Sequence, residues 1–413
     1  MSEEKLVPKL RFSGFNKEWN QYYLKDVIQD FINGQTPSRN VDSFWNGDVN
    51  WVSSGELNYN YITSTIEQIT AEGKNNANLK LLSPGTFLIA ITGLEAPGTR
   101  GSCAILGIEA TTNQSCMALL PKEDKIITKF LYYWYLKVGE TYGIKYTQGT
   151  KQQSYNKELL EKLPITIPDI REQNKISEFL SVLNHKIELL EQKYQYYQNF
   201  KKYLMQQIFT QKLRFNFTDT WKTVKIKDIF DERSEKGFLD LELLSVTLND
   251  GVIKRSEIES KDNSNENKSN YKHVLPGDIV YNSMRMWQGA SGVSPYEGIV
   301  SPAYTILIPK NVYSKYFGYY FKTNEMVYQF KKYSQGLTSD TWNLKYPLIS
   351  EIKIKIPSIE EQKEITNVFE IMDEKIKILQ NNIDELTTFK KGLLQQMFVV
   401  QLILSLLQNK KHI

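Results

Sequence analysis

Two cysteines and three histidines in 413 residues leave little with which to build a metal site. Cys103 and Cys116 offer neither a disulfide framework nor a zinc cluster, and such sparing use fits a reducing, cytoplasmic compartment. His185, His273 and His412 lie far apart. Catalytic signatures are missing as well. There is no glycine-rich phosphate loop ending in Gly-Lys-Ser/Thr, no dinucleotide fingerprint and no Asn/Asp-Pro-Pro-aromatic motif of amino-methyltransferases. Two Glu-x-Lys triplets, Glu361-Gln362-Lys363 and Glu123-Asp124-Lys125, have the spacing of a metal-dependent nuclease. The first opens a capped helix and the second sits in a charged loop, so both read as solvated surface. Charge of one sign is also scarce. Lys plus Arg total 51 against 47 Asp plus Glu, a net of +4, which permits nucleic-acid binding without demanding it. The most apolar run, Met397 to Leu407, is too short and too interrupted to cross a bilayer. Met1 to Lys9 is charged, unlike a secretory signal, so no membrane partner is expected.

What the chain has instead is repetition. Ile167 to Phe209 returns as Ile356 to Phe398, shifted by 189 positions without a gap. Ile167-Pro168-Asp169-Ile170-Arg171-Glu172-Gln173 faces Ile356-Pro357-Ser358-Ile359-Glu360-Glu361-Gln362. Between these starts and the shared Phe-Lys-Lys endings runs a heptad seam. It reads Ile176, Leu180, Leu183, Ile187, Leu190, Tyr194, Tyr197, Lys201, Leu204, Ile208 in one copy. The other reads Ile365, Phe369, Met372, Ile376, Leu379, Ile383, Leu386, Lys390, Leu393, Met397, and it continues at Val400, Leu404 and Leu407. An apolar repeat of 3.5 residues specifies a coiled coil. Asp169 with Glu172, and Ser358 with Glu361, read as capping boxes. Each helix spans about 60 Å at 1.5 Å per residue. The compact domain between them has its termini close together, so the pair is expected to run antiparallel.

The repeat extends beyond the helices. Lys9-Leu10-Arg11-Phe12 returns as Lys212-Leu213-Arg214-Phe215, and Trp19 returns as Trp221. Ser83-Pro84-Gly85 answers Leu275-Pro276-Gly277, and Tyr146-Thr147-Gln148-Gly149-Thr150 answers Tyr333-Ser334-Gln335-Gly336-Leu337. The chain is therefore a duplicated domain–helix unit. Its expected divisions are 1–165, a first domain; 166–211, a central helix; 212–355, a second domain; and 356–413, a C-terminal helix and tail. Each domain reads as α+β. Strands are expected over Thr86 to Thr92, Cys103 to Ile108 and Ile299 to Ile308. Amphipathic helices are expected over Phe130 to Tyr135 and Tyr316 to Val327. Ser256 to Lys272 is Asn- and Ser-rich and reads as a loop.

Polar loops recur at matched places, with side chains suited to base edges: amides for adenine, arginine and lysine for guanine, hydroxyls for either. The first domain offers Gln35, Thr36, Ser38 and Arg39, then Arg100, then Asn113 and Gln114. It ends on Gln148, Thr150, Lys151, Gln152 and Gln153. The second offers Asn282, Arg285, Trp287 and Gln288, then Ser301 and Tyr304, then Gln335, Thr338, Ser339 and Trp342.

These stretches carry a resemblance. Gly34-Gln35-Thr36-Pro37-Ser38, Thr112-Asn113-Gln114-Ser115, Gln148-Gly149-Thr150-Lys151-Gln152-Gln153 and Leu163-Pro164-Ile165-Thr166-Ile167-Pro168 resemble specificity subunits of type I restriction–modification enzymes. So do Pro276-Gly277-Asp278-Ile279-Val280-Tyr281-Asn282, Gly298-Ile299-Val300-Ser301-Pro302-Ala303-Tyr304 and the ending Lys390-Lys391-Gly392-Leu393-Leu394-Gln395-Gln396-Met397-Phe398. The tail from Val399 to Ile413 departs from that pattern. The resemblance implies two target-recognition domains, each reading one half of an asymmetric bipartite site in double-stranded DNA, with antiparallel coiled-coil helices between them. It implies docking of two modification subunits, which bind S-adenosylmethionine and methylate adenine. Two restriction subunits, which use ATP and Mg, would complete the enzyme. This chain would then be non-catalytic and carry no cofactor. The rival readings are an enzyme acting alone and a coiled-coil scaffold without DNA readout.

Overall fold

The computed structural model describes residues 6–96, 98–147, 153–248, 250–259, 264, 267–338 and 341–398. Gln148, Thr150, Lys151, Gln152 and Ser339, and the heptad continuation at Val400, Leu404 and Leu407, lie outside the described residues. Contacts divide the chain into two units, Met1–Leu190 with Asn382–Ile413, and Glu191–Asn381. Each unit holds one α+β domain together with half of each long helix.

In the first unit a five-stranded sheet has the order Ile28–Asn33, Cys116–Pro121, Phe87–Ala90, Cys103–Leu106, Asn60–Ile62, antiparallel except for its last pair. Side chains alternate across a strand, so this sheet feeds two cores. Phe87, Ile89, Cys103, Ile105, Met117 and Leu119 face the helix Thr128–Lys145. Leu88, Ala90, Ala104, Leu106, Cys116 and Ala118 pack on Val52, Leu57 and Leu82. The Phe130 to Tyr135 stretch is not amphipathic, because all six residues are buried. Two of its three tyrosine hydroxyls find partners, on opposite neighbours, while that of Tyr135 is buried without one. Tyr132 donates to the Tyr59 carbonyl at 2.6 Å, and Tyr133 Oη lies 3.2 Å from Ser181 Oγ on the first long helix.

The second unit repeats four of these strands in the same order: Phe230–Glu232, Tyr304–Pro309, Ile279–Asn282, Ser291–Val293. Two expectations are corrected here. The Ile299 to Ile308 run is two strands, Gly298–Val300 and Tyr304–Pro309, with Ser301 to Ala303 outside both. The Tyr316 to Val327 helix is two, Ser314–Tyr320 and Asn324–Tyr333, because the Thr323 side chain caps the second by accepting from the Met326 amide.

The long helices are Ile170–Phe209 and Ile359–Met397. Among the described residues no seam position is exposed. Within the second unit they run antiparallel: Lys375 lies over Tyr197, Lys201 bonds Asp373, and Phe209 stacks on Phe369. The seam lysines are used across the pair. Lys201 donates to Asp373 Oδ1 in the second unit and Lys390 to Asn184 Oδ1 in the first, at positions equivalent under the 189-residue shift. Tyr319 of the second domain donates to the other Asp373 oxygen at 2.7 Å.

Each helix start is locked twice. Asp169 and Ser358 accept from the Glu172 and Glu361 amides, as a cap requires. The glutamate carboxylates do not close the expected capping boxes, because arginines claim them. Arg11 Nε and Nη2 each lie 2.7 Å from Glu172, and Arg214 bonds Glu361 at 3.0 and 2.7 Å. Trp221 Nε1 adds a third donor to Glu361. The next residue serves the same end. Gln173 Nε2 donates to the Pro168 carbonyl while its Oε1 accepts from the Ile127 amide, and Gln362 does likewise with Pro357 and Tyr313. The Glu-Gln pair is thus structural in both copies. The helix ends are tied alike, Leu10 N donating to Gln396 O and Leu213 N to Gln207 O.

Candidate nucleic-acid interface

In the first domain the end of a central strand is held between two loops. The Ile91 amide donates to the Ser115 carbonyl and the Ile91 carbonyl accepts from Tyr155 N, both at 2.9 Å. This gathers the polar loops found in the sequence. The Asn113 side chain accepts from Ser115 N in a local turn, and Gln35 N donates to the Thr112 carbonyl at 3.0 Å. Thr36 Oγ1 bonds Gln114 Oε1. Gly34 permits the approach, since a Cβ there would lie 2.1 Å from Thr112 O. On the other side Leu94 N donates to the Gln153 carbonyl, and Gln153 N to Glu95 Oε2 at 2.9 Å. Arg100 Nη2 donates to the Glu95 carbonyl, so Arg100 and Gln153 share one neighbour.

Arg39 is placed differently. Its guanidinium lies 3.6 Å over the Trp45 ring and forks onto both Glu67 oxygens. The shared hydrogen bonds hold the Glu67 carboxyl below its ordinary range and the arginine above its own. Trp45 Nε1 in turn donates to the Ser38 carbonyl. Ser38 and Arg39 therefore form a braced, exposed corner whose charge is already matched.

The second domain builds the same junction with different residues. Ser283 N donates to the Ala303 carbonyl at 3.3 Å, and Ser283 O accepts from Leu344 N at 2.9 Å. Ser301 Oγ accepts from Ala303 N, the counterpart of the Asn113 turn, and Asn282 pairs with Tyr304 in the sheet register. Asn282 Oδ1 caps the turn by accepting from Met284 N, which leaves Arg285 and Gln288 exposed. Trp287 and Trp342 meet edge to face with centroids 5.3 Å apart, joining the turn to the Gln335–Asn343 loop. Thr338 N donates to Thr341 Oγ1 within that loop.

An open cleft of about 820 Å³ lies beside this junction, lined by Asn282, Ser301 and Tyr304 together with Ser245, Thr247, Arg255, Asn267, Asn270 and Tyr271. Burial pushes the Tyr304 phenol up, which keeps it a neutral donor. The last six residues were not singled out by the sequence. For Asn267, Asn270 and Tyr271 the only signal was the Asn/Ser richness of 256–272, which marks a loop but is also base-reading chemistry; Ser245, Thr247 and Arg255 carried none. Among the described residues no group of three His, Cys, Asp or Glu side chains could hold a metal, and no helix is long and apolar enough to cross a membrane. Glu123, Asp124 and Lys125 are exposed.

Two copies of one α+β domain, each followed by a long helix, define the class of molecule. The chain belongs to the family described as type I restriction modification DNA specificity domain, whose model matches residues 16–196 and 218–388. It is 29% identical over 176 residues to the specificity subunit of the type I restriction enzyme MjaIX from Methanocaldococcus jannaschii, covering 42% of this chain and 39% of that one. It is 28% identical over 186 residues to the EcoR124I/EcoR124II specificity subunit of Escherichia coli, covering 42% and 45%. These two matches span less than half of either relative. The MjaVIII specificity subunit of M. jannaschii is matched over 92% of this chain and 91% of its own length, at 22% identity. The crystal structure of the S subunit of a type I restriction-modification system from M. genitalium superposes with a TM-score of 0.60 at 16% identity. That match covers 96% of this chain and 100% of that one. A chain from a study of assembly and conformational transition of the type I R-M system gives 0.55 at 14% identity, over 92% and 97%. Both structural likenesses are likenesses of fold.

Proposed function

We propose that this chain is the sequence-reading subunit of a type I restriction–modification complex. The domains over 1–165 and 212–355 each read one half of a bipartite site in double-stranded DNA. The helical segments 166–211 and 356–413 set their spacing and carry the partners. One observation supports this above the rest: the same loop junction is built twice on matching strands, around Ile91 and around Ser283, and presents different polar side chains each time. A shared scaffold with divergent tips suits two different half-sites. A scaffold without DNA readout gives no reason for amides, an arginine and tryptophans to gather at those tips.

The helices favour paired partners. Val182 and Leu189 are exposed on the first helix, and their copies Ile371 and Ile378 are exposed on the second; Phe200 and Phe389 form a third such pair. Apolar side chains off the mutual seam, at duplicated positions, fit two copies of one docking protein. We assign that role to two modification subunits, which bring S-adenosylmethionine, with two restriction subunits bringing ATP and Mg. The present chain contributes recognition and no cofactor, and works in the cytoplasm where the DNA is. The partners supply part of the phosphate contact, which accounts for a net charge of only +4. The test is to expose DNA to this chain with its modification subunit and map methylated adenines. A single bipartite motif is expected; scattered or absent methylation with an active modification subunit would overturn the reading.

A further inference from the structure

Leu337 is 101% exposed, while every other large hydrophobic that the described residues expose keeps part of its surface covered. Single exposed leucines are common and by themselves need no explanation. Here the loop is braced. Gln335 and Asn343 exchange two backbone hydrogen bonds, at 3.1 and 2.8 Å, closing the base. Thr338 N donates to Thr341 Oγ1 and Thr341 N to Thr338 O, closing the next level. Gly336, between them, has φ +150, and a Cβ on it would lie 2.6 Å from Thr341 O, so the chain can cross there only as glycine. These bonds fix the backbone that carries Leu337 and leave its side chain against nothing in the fold.

The surroundings say what it meets. Trp342, five residues on, stacks edge to face on Trp287, and Lys331 Nζ lies 5.5 Å from the Trp342 ring. Met284 and Arg285 are exposed on the adjoining turn, and Lys332 and Lys345 on the chain flanking the loop. An apolar tip set among exposed cations, on the loop that carries Gln335 and beside the turn that carries Gln288, matches a duplex: phosphates outside, apolar base faces inside. Proteins that open a base step do so with a leucine, methionine or similar wedge of this kind.

We propose that Leu337 is a wedge which enters the base stack of the bound duplex within the half-site of the second domain and unstacks one step. This rests on the reading of that domain as a DNA-binding one. Unstacking lowers the cost of taking a neighbouring base out of the helix, which chemistry on a base requires. The leucine thereby serves the methylating partner without touching the reacting atoms.

The test uses the full chain with its modification subunits. Duplexes carry 2-aminopurine singly at successive positions of that half-site, the methylated adenine excepted. Wild-type complex is expected to brighten one position several-fold. L337A should lose most of that signal and bind about tenfold more weakly, whereas L337M should keep both. Because Leu337 packs against nothing, L337A should melt at the wild-type temperature. Bound wild-type complex that brightens no position overturns the wedge and leaves DNA reading intact. A loss on L337A that vanishes when one thymine is replaced by uracil also overturns it, since the leucine would then be reading a methyl group. Wild-type complex that binds no duplex sinks the reading beneath it.

Discussion

A carboxylate taken out of water needs both oxygens matched, and among single residues the two glutamates at the helix starts meet that demand in the same way. Glu172 and Glu361 are each 1% exposed, and each is held by a forked arginine from the segment that precedes its domain. Removing the arginine leaves a buried charge, which costs about 3–5 kcal/mol, whereas neutralising the glutamate leaves hydrogen-bond partners in place and costs about 1–3 kcal/mol. R214A should therefore unfold at lower denaturant than E361Q, although both delete the same ion pair. Equal midpoints would show that the pair is worth only its Coulomb attraction. Glu351 is the exposed contrast. Hydrogen bonds from Lys225 and Lys227 pull its carboxyl down to about 2. A depressed carboxylate adds stability that is present above its unfolded value near 4.5 and is lost as pH falls towards 2. Because the side chain is exposed at the surface, salt should erase most of it. Side-chain NMR titration at low salt should place the Glu351 midpoint near 2, and K225M should raise it; a midpoint near 4.5 in wild type would contradict the assignment.

Among elements, the long helices were the most legible part of the chain. Their seams repeat every 3.5 residues and appear twice, so the pattern is local and redundant. The seam lysines were visible but not their use: Lys201 reaches Asp373 and Lys390 reaches Asn184, partners roughly two hundred positions away that no local period reveals. The capping boxes misled for the same reason. Spacing suggested that Glu172 and Glu361 turn back to their own helix, but Arg11 and Arg214 bind them from afar. Of the candidate site, the amide-rich turns could be read directly, whereas Arg255, Asn270 and Tyr271 became neighbours of Tyr304 only through the fold. Two predictions belong to this scale. Replacing Lys201 and Lys390 together by leucine removes both cross-seam hydrogen bonds and should lower the melting temperature by about 2–4 °C per bond lost; an unchanged melt would mean the lysines are only tolerated. Inserting one heptad after Leu190 keeps the seam in phase and adds about 10 Å. If the helices act as a ruler, the unread DNA spacer should lengthen by at most about three base pairs, with both half-sites kept. Methylation mapping reads this, and a fully active variant with the original spacer would refute the ruler.

For the molecule as a whole, duplication explains both what is constant and what differs. Strand order, the Glu-Gln locks and the Leu-Arg tethers recur because they hold each domain to its helices. The loop tips diverge: Gln35, Thr36, Asn113 and Gln114 stand on one junction, and Arg285, Gln288, Trp287 and Gln335 on the other. The central claim is that each junction reads its own half-site. The most direct measurement is methylation mapping with two variants of the chain, Q35A/Q114A in the first domain and R285A/Q288A in the second, each with the same modification subunit. Losing a bidentate base contact costs about 1–3 kcal/mol and relaxes specificity at that position. Each variant should relax one half-site by roughly tenfold or more at one or two positions, and the half-sites affected should be opposite ones, with the spacer unchanged. If either variant alters both half-sites together, or both variants alter the same half, the division of reading between the two domains is wrong.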